Sequence, residues 1–390
     1  MATRRPPNRK ALIRQAAADL FVERGYHNVS MSDVAEALGI GPSALYHHYR
    51  NKQDLLLHTV LDGLDQVDAR IKAAGTLDEA LRSLAEFIAG RPRGLLATWE
   101  REARHLDGAQ RGVIDTREAE VVADLEPLLR VGRTDLDDAD TGLVAAAVLG
   151  ALGAQTRHRI SLSRRKDEQL AYRLATVVAT CPLPEHGGAR AATGTPEGVG
   201  LPVPGLQRPR RDQILTEAIR LFDERGYQSV TVADIGKAAG IVASGVYRHF
   251  PGKTDLLVAA VNRGVERMYS STEEALSQAR DPRDALERLL RARITIALDQ
   301  VHLLGILTNE RDQLPEKERT ALRRVQRDHR DVWVQTLDAV RPGRDTAELK
   351  MIVLAVQGMV YFVVRSGGTD RWPDLRERLV DLGMALLLDD

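Results

Sequence analysis

Ser30-Met-Ser-Asp-Val-Ala-Glu-Ala-Leu-Gly-Ile-Gly-Pro-Ser-Ala-Leu-Tyr-His-His-Tyr49 and Thr231-Val-Ala-Asp-Ile-Gly-Lys-Ala-Ala-Gly-Ile-Val-Ala-Ser-Gly-Val-Tyr-Arg-His-Phe250 decide the reading of this chain. Each opens on a hydroxyl residue with an aspartate three positions later, Asp33 or Asp234. That is the pattern of a helix N-cap with negative charge in its first turn. Val34, Ala35 and Leu38 give a short helix an apolar face, Gly39 ends it and Ile40 plugs the corner. Pro42 suits the first turn of a second helix, which runs to about Tyr49. Asp234, Ile235, Gly240 and Ile241 repeat the scheme. Two short helices joined by a glycine-containing turn predict a helix-turn-helix in each stretch.

Working outward, Leu20-Phe-Val-Glu-Arg-Gly-Tyr26 recurs as Leu221-Phe-Asp-Glu-Arg-Gly-Tyr227, and Lys52-Gln-Asp-Leu-Leu56 as Lys253-Thr-Asp-Leu-Leu257. From Ala11 to Leu56 the offset is constant, with roughly 20 identities in about 46 positions. At a second offset Leu95, Leu96, Glu102 and Leu106 match Leu303, Leu304, Glu310 and Leu314, and Gly150 and Arg157 match Gly358 and Arg365. A whole unit is therefore duplicated. The stretch from Pro182 to Pro209, rich in Pro and Gly and without helical periodicity, reads as the joint. The expected domains are helix-turn-helix 8–57, helical regulatory and dimerisation domain 58–181, linker 182–208, helix-turn-helix 209–258 and a second helical domain 259–390.

The 390 residues suffice for two domains with real cores, 43% of them being apolar. Aromatics are 4%, and β-branched residues rarely alternate with polar ones, so the predicted fold class is all-α. Lys+Arg and Asp+Glu are both 55, which argues against a chain-wide polyanion binder and leaves local patches open. Such patches exist. No acid occurs from Ala37 through Gln53, where His47, His48, Arg50 and Lys52 fall. None occurs from Ile235 through Thr254, which carries Lys237, Arg248, His249 and Lys253. Acid-free basic stretches over both second helices fit a surface that meets phosphate. Cys181 is the one cysteine, so no internal disulfide or cysteine zinc site is available. The N-terminus has no apolar core of a secretory signal, and Leu143 to Ala154 is too short to span a bilayer. A cytoplasmic protein without membrane contact is expected.

Both blocks resemble the N-terminal domain of TetR-family regulators, through Ala17, Leu20, Phe21, Gly25, Tyr26, Ser30, Val34, Ala35, Gly39, Ile40, Leu45, Tyr46, His48, Tyr49, Lys52, Leu55 and Leu56 and their counterparts. The resemblance implies two helical TetR-like units and a double-stranded DNA operator as partner. It makes Tyr46, Tyr247, Lys52 and Lys253 phosphate clamps, and Ser43, His47, Ser244 and Arg248 candidate readers or backbone contacts. Ser30 and Thr231, at the heads of the first helices, join the DNA-facing set. The sequence departs from the family where Gly41 and Val242 open the second helix and where Ala44 and Gly245 precede the hydrophobic-Tyr pair.

The resemblance also implies that the last helices of each copy, roughly 140–160 with 167–181 and 346–366 with 373–388, form a four-helix dimer interface. Fused in one chain, the copies are expected to close as an intramolecular pseudo-dimer, with pairing between chains as the competing arrangement. A ligand pocket is expected in the second copy, around Trp333, Met351, Met359, Tyr361 and Phe362, since the first offers Trp99 and many alanines. Asn309-Glu-Arg-Asp-Gln-Leu-Pro315 and the Arg-rich stretch after it resemble family members that sense acyl thioesters or other lipids; an ordinary charged helix face is the alternative. The expected function is a transcriptional repressor released by a small apolar ligand. The rival is an interaction scaffold whose helix-turn-helix units no longer bind DNA, and no catalytic constellation supports an enzyme. Adjacent His47 and His48 point to different sides of a helix, so no metal or other cofactor is expected.

Overall fold

The structure is a computed structural model that describes residues 9–90, 102–103, 106–157, 162–183, 209–367, 371–372 and 374–389. Among these the chain is helical throughout, with no strand. It forms two compact units. The first comprises 1–181 with 345–368 and 385–390; the second comprises 182–344 and 369–384. Most of the expected linker, together with Trp99, Leu95 and Leu96, lies outside the described residues.

In the first unit, α1 (Arg9–Arg24), α2 (Met31–Ala37) and α3 (Pro42–Tyr46) form a three-helix domain. The long α4 (Lys52–Ala73) closes it. Its core is Ile13, Ala17, Leu20, Phe21, Leu45, Tyr49, Leu55 and Leu56, all buried. Then follow α5 (Leu77–Gly90), α6 (Gly108–Gly132), α7 (Asp138–Arg157) and α8 (Arg164–Thr180). As expected of a helix apolar on every side, α7 buries Leu143, Val144, Val148 and Leu152 together with its alanines. Cys181, the C-cap of α8, is buried.

The second unit repeats the scheme with α9 (Arg210–Arg225), α10 (Val232–Ala238), α11 (Ala243–Tyr247) and α12 (Lys253–Ser277). It continues with α13 (Pro282–Asp299), α14 (Val301–Asn309) and α15 (Glu316–Val340). The first part of α17 (Leu375–Leu388) lies on α13, where Arg291 pairs with Glu377 at 2.8 Å and Gly383 faces Leu290.

In space the partition departs from chain order. Helix α16 (Thr346–Arg365) belongs to the second copy by sequence, yet it packs along α7 in the first unit. The approach is backbone-close. A Cβ on Gly150 would stand 2.7 Å from Phe362 Cβ and 3.0 Å from Met359 Cα, and one on Gly358 would collide with Ala154. Ion pairs flank the contact, Arg173 to Glu348 at 2.5 Å and Lys166 to Asp345 at 3.8 Å. By length and composition α16 is apolar enough to cross a membrane, which the sequence reading overlooked, but 72% of that stretch is buried inside the protein. The apolar face belongs to the α7 contact. Each fully buried Val, Leu, Ile or Phe there contributes about 1.5–3 kcal/mol.

Candidate nucleic-acid interface

The two helix-turn-helix elements are assembled by the same local bonds. Asp33 N donates to Ser30 Oγ at 3.2 Å, and Ser30 N donates back to Asp33 Oδ2 at 2.6 Å. In the second copy Asp234 N donates to Thr231 Oγ1 at 3.1 Å and Thr231 N to Asp234 Oδ2 at 2.9 Å. These are reciprocal capping boxes. Hydroxyl and backbone hydrogen bonds hold both aspartates below the ordinary carboxylate pKa. Each hydroxyl proton also goes to the aspartate, so Ser30 and Thr231 are occupied with the cap. Gly39 (φ +63°) and Gly240 (φ +69°) make the left-handed turn. It returns Ile40 N to Ala35 O at 3.0 Å and Ile241 N to Gly236 O at 2.8 Å. In the second copy Gly236 and Gly245 both press on Ile241; Ala35 and Ala44 take their places in the first.

On α3 and α11 the apolar side is buried through Leu45, Tyr49, Val246 and Phe250. The opposite side presents Ser43, Tyr46 and His47 in one copy and Ser244, Tyr247, Arg248 and His249 in the other, all exposed. Tyr46 is 56% and Tyr247 54% accessible, so neither is a core aromatic. Lys237 and Arg50 are also exposed. Arg210 and Arg211, ahead of the second copy, are folded onto it. Arg210 donates to Ala239 O at 3.2 Å, and the Arg211 guanidinium sits 4.4 Å from the Phe250 ring centre.

Lys52 and Lys253 do not point out as phosphate clamps. Lys52 Nζ donates to Tyr26 O at 2.9 Å and Val29 O at 2.8 Å, and lies 4.2 Å from the Tyr26 ring centre. Lys253 Nζ repeats this with Tyr227 O at 3.0 Å, Val230 O at 2.9 Å and the Tyr227 ring at 4.3 Å. The physical reason is the turn before the first short helix. It leaves carbonyls that α-helical bonding cannot satisfy, and the first residue of the following long helix is within reach. Burial lowers both lysine pKa values.

From the other side of the same turn comes a residue that sequence reasoning missed. Tyr26 N donates to Glu102 Oε2 at 3.4 Å, and Tyr227 N to Glu310 Oε1 at 3.2 Å. Both glutamates are almost fully buried. Burial, with the Glu102 charge added, pushes the Tyr26 hydroxyl up to about 12. The signal was present, because Glu102 and Glu310 coincide at the second repeat offset, but a lone acid outside the motif suggested no role.

The expected ligand residues are divided. Trp333 lines a cavity of about 30 Å³ in the second unit, with Met268, Leu289, Arg293, Leu307 and His329 among its walls. Met351, Met359, Tyr361 and Phe362 are buried on α16 in the first unit and line no part of that cavity. Met359 and Phe362 face Gly150. Bulk of this kind reads as pocket lining in the sequence, but Met359 and Phe362 use it at the helix contact with α7. Among the described residues no cluster of metal-ligating side chains occurs.

Residues 13–59 and 214–260 match the family model described as bacterial regulatory proteins, tetR family. The chain is 31% identical over 132 residues to the HTH-type transcriptional repressor KstR2 of Rhodococcus jostii, covering 33% of this chain and 64% of that protein. It is 32% identical over 107 residues to the HTH-type transcriptional activator FasR of Mycolicibacterium smegmatis, covering 27% and 47%. It thus spans about half to two thirds of the length of these curated relatives. Among solved structures, the ketosteroid transcriptional regulator KstR2 of Mycobacterium tuberculosis aligns at 20% identity with a TM-score of 0.41, over 46% of this chain and 95% of that one. With the family's N-terminal domain model matched at two places, each folded as a helix-turn-helix, the chain carries two domains of the TetR N-terminal type.

Proposed function

We propose that the protein is a sequence-specific, double-stranded-DNA-binding transcriptional regulator of the cytoplasm, acting as a repressor that a small apolar ligand releases. The observation that carries this reading is the outward face of α3 and α11. Each offers an exposed tyrosine beside a base-reading type of side chain, His47 or Arg248, in a stretch without acids. Tyr46, Ser43, Tyr247 and Ser244 are the backbone contacts in this reading, and Arg248 and His47 the groups that meet base edges. Lys52 and Lys253 serve by holding the fold of the reading head.

The packing of α16, from the second copy, on α7, from the first, supports an intramolecular pseudo-dimer. One chain would then supply both reading heads, a task that otherwise needs two subunits. A scaffold without DNA binding has no use for two acid-free basic faces, and the relatives are named as regulators of transcription. Fluorescence anisotropy with DNA flanking the protein's own gene, against scrambled DNA of equal length, tests the proposal. Preference for the flanking DNA by 1,000-fold or so is the expected scale of specific recognition. Equal affinity for both DNAs, or none for either, would leave the scaffold reading standing.

A further inference from the structure

The cavity of the second unit lies among α12, α13, α14 and α15, and a ligand there rests on the proposed role as a ligand-released regulator. The cavity walls are largely apolar, with Leu289, Ile296, Leu304 and Leu307. Two of its polar groups, Trp333 and Arg293, are donors that suit an anion. Trp333 is 1% exposed, and among the described residues its indole N–H has no acceptor within hydrogen-bond distance. A buried donor left in this state is costly, and an oxygen placed beside it relieves the cost. Arg293 lines the same cavity. Burial, with the charges of Arg293 and Arg330 added, lowers His329 to about 4, so the imidazole is neutral at pH 7. Thr272 Oγ1 gives its proton to Met268 O at 2.7 Å, so at its 3.2 Å contact with His329 Nδ1 the ring N–H is the donor. No carboxylate lines the cavity among the described residues.

We propose that this cavity takes an apolar carboxylate, its oxygens accepting from the Trp333 indole and facing Arg293 while its chain lies along Leu289, Ile296 and Leu307. At about 30 Å³ the cavity has room for little more than a water. The ligand therefore enters only by displacing a wall. Helix α14 is the shortest of the four and is tied to the second helix-turn-helix at both ends. His302 Nδ1 lies 2.9 Å from Asp223 Oδ2 on α9, and Glu310, its C-cap, holds the Tyr227 N–H. Gly305 has no side chain, which lets Asp223 sit against α14. At the repeat positions of Asp223, His302 and Gly305 the first copy has Val22, Gly94 and Ala97, which cannot make this side-chain hydrogen bond. Filling the cavity moves α14 and with it the second reading head alone.

Isothermal titration of the full chain with straight-chain carboxylates from hexanoate to dodecanoate, and with decyltrimethylammonium, tests the site without DNA. One carboxylate per chain is expected, with no binding of the cation. Trp333→Phe should weaken the carboxylate about tenfold, the worth of one hydrogen bond to a charged group. If that variant does not fold, Arg293→Met supplies the same test. In a separate measurement the bound carboxylate lowers DNA affinity in the natural chain, and Glu310→Ala, which removes the acceptor of the Tyr227 N–H, uncouples that effect while leaving the titration unchanged. Equal binding of cation and anion, unchanged affinity in both cavity variants, or no binding across the series would overturn the proposal. A chain that takes the carboxylate but never binds DNA would sink the regulator reading and leave the site intact.

Discussion

Lys52 and Lys253 show how a side chain's position in a motif and its bonds in the fold can suggest different tasks. Each stands where the family resemblance places a phosphate contact, yet each spends its protons on carbonyls of the turn after α1 or α9. Lys52→Met should therefore lower the stability of the first three-helix domain by about 1–3 kcal/mol, read by chemical denaturation. The logarithmic salt slope of DNA binding by the folded variant should stay unchanged. A slope smaller by about 0.9 would return the lysine to the phosphates. Tyr46→Phe and Tyr247→Phe should do the reverse, leaving stability intact and weakening DNA binding about 2–10-fold each through the lost exposed hydroxyl. His329 sets a pH dependence. Its folded pKa, about 4, lies below the ordinary value of 6.5, so between these pH values the unfolded chain binds a proton that the folded one does not. Stability of the second unit is lost as pH falls through that window, by on the order of 3 kcal/mol in full. Urea midpoints at pH 7 and pH 4.5 check it, and His329→Gln should flatten the difference.

Among the elements, the capping boxes and the glycine turns were legible because their bonds are local. A hydroxyl and an acid three residues apart have little else to do at the head of a helix. The short helices themselves ended where Gly39 and Gly240 placed them. Partners of α16 were less legible. Met351, Met359, Tyr361 and Phe362 look alike whether they line a cavity or face another helix, since hydrophobic periodicity reports burial and not the identity of the cover. The deciding clue was Gly150 and Gly358, matched across the repeat and now found opposite Phe362 and Ala154. Replacing Gly150 by Val should force α7 and α16 apart at a cost of about 1–3 kcal/mol, measured by thermal unfolding. DNA binding by the pair of heads should weaken more than binding by either head alone. The links from Glu102 and Glu310 to the Tyr26 and Tyr227 amides were invisible for a different reason. They join residues 76 and 83 positions apart, beyond any local pattern.

At the scale of the whole molecule, the two reading heads are unlike. Arg248 stands where the first copy has His47, and Val242 with Ala243 where it has Gly41 with Pro42. Arginine favours the N7 and O6 edge of guanine, so binding-site selection should return an imperfect palindrome. A perfect one would point to like heads paired between chains. If each head neutralises about four phosphates, the salt slope of the intact chain is about −7, and roughly half that for one copy acting alone. Light scattering at micromolar concentration should give a mass near 43.0 kDa; a stable mass of twice that would reveal a second chain. Helix α16 has one more consequence, and it concerns synthesis. The first unit includes a helix that the ribosome makes after most of the second copy has been written. At about 5–20 residues per second, α7 waits on the order of tens of seconds for its cover. During that interval a nascent chain exposes the face of α7 that α16 will cover to its neighbours on the same message. The order of translation thus makes α7 the segment on which a trigger-type chaperone would sit longest, and a stop codon placed before Thr346 would strip the first unit of α16 as well as the second of its part of α17.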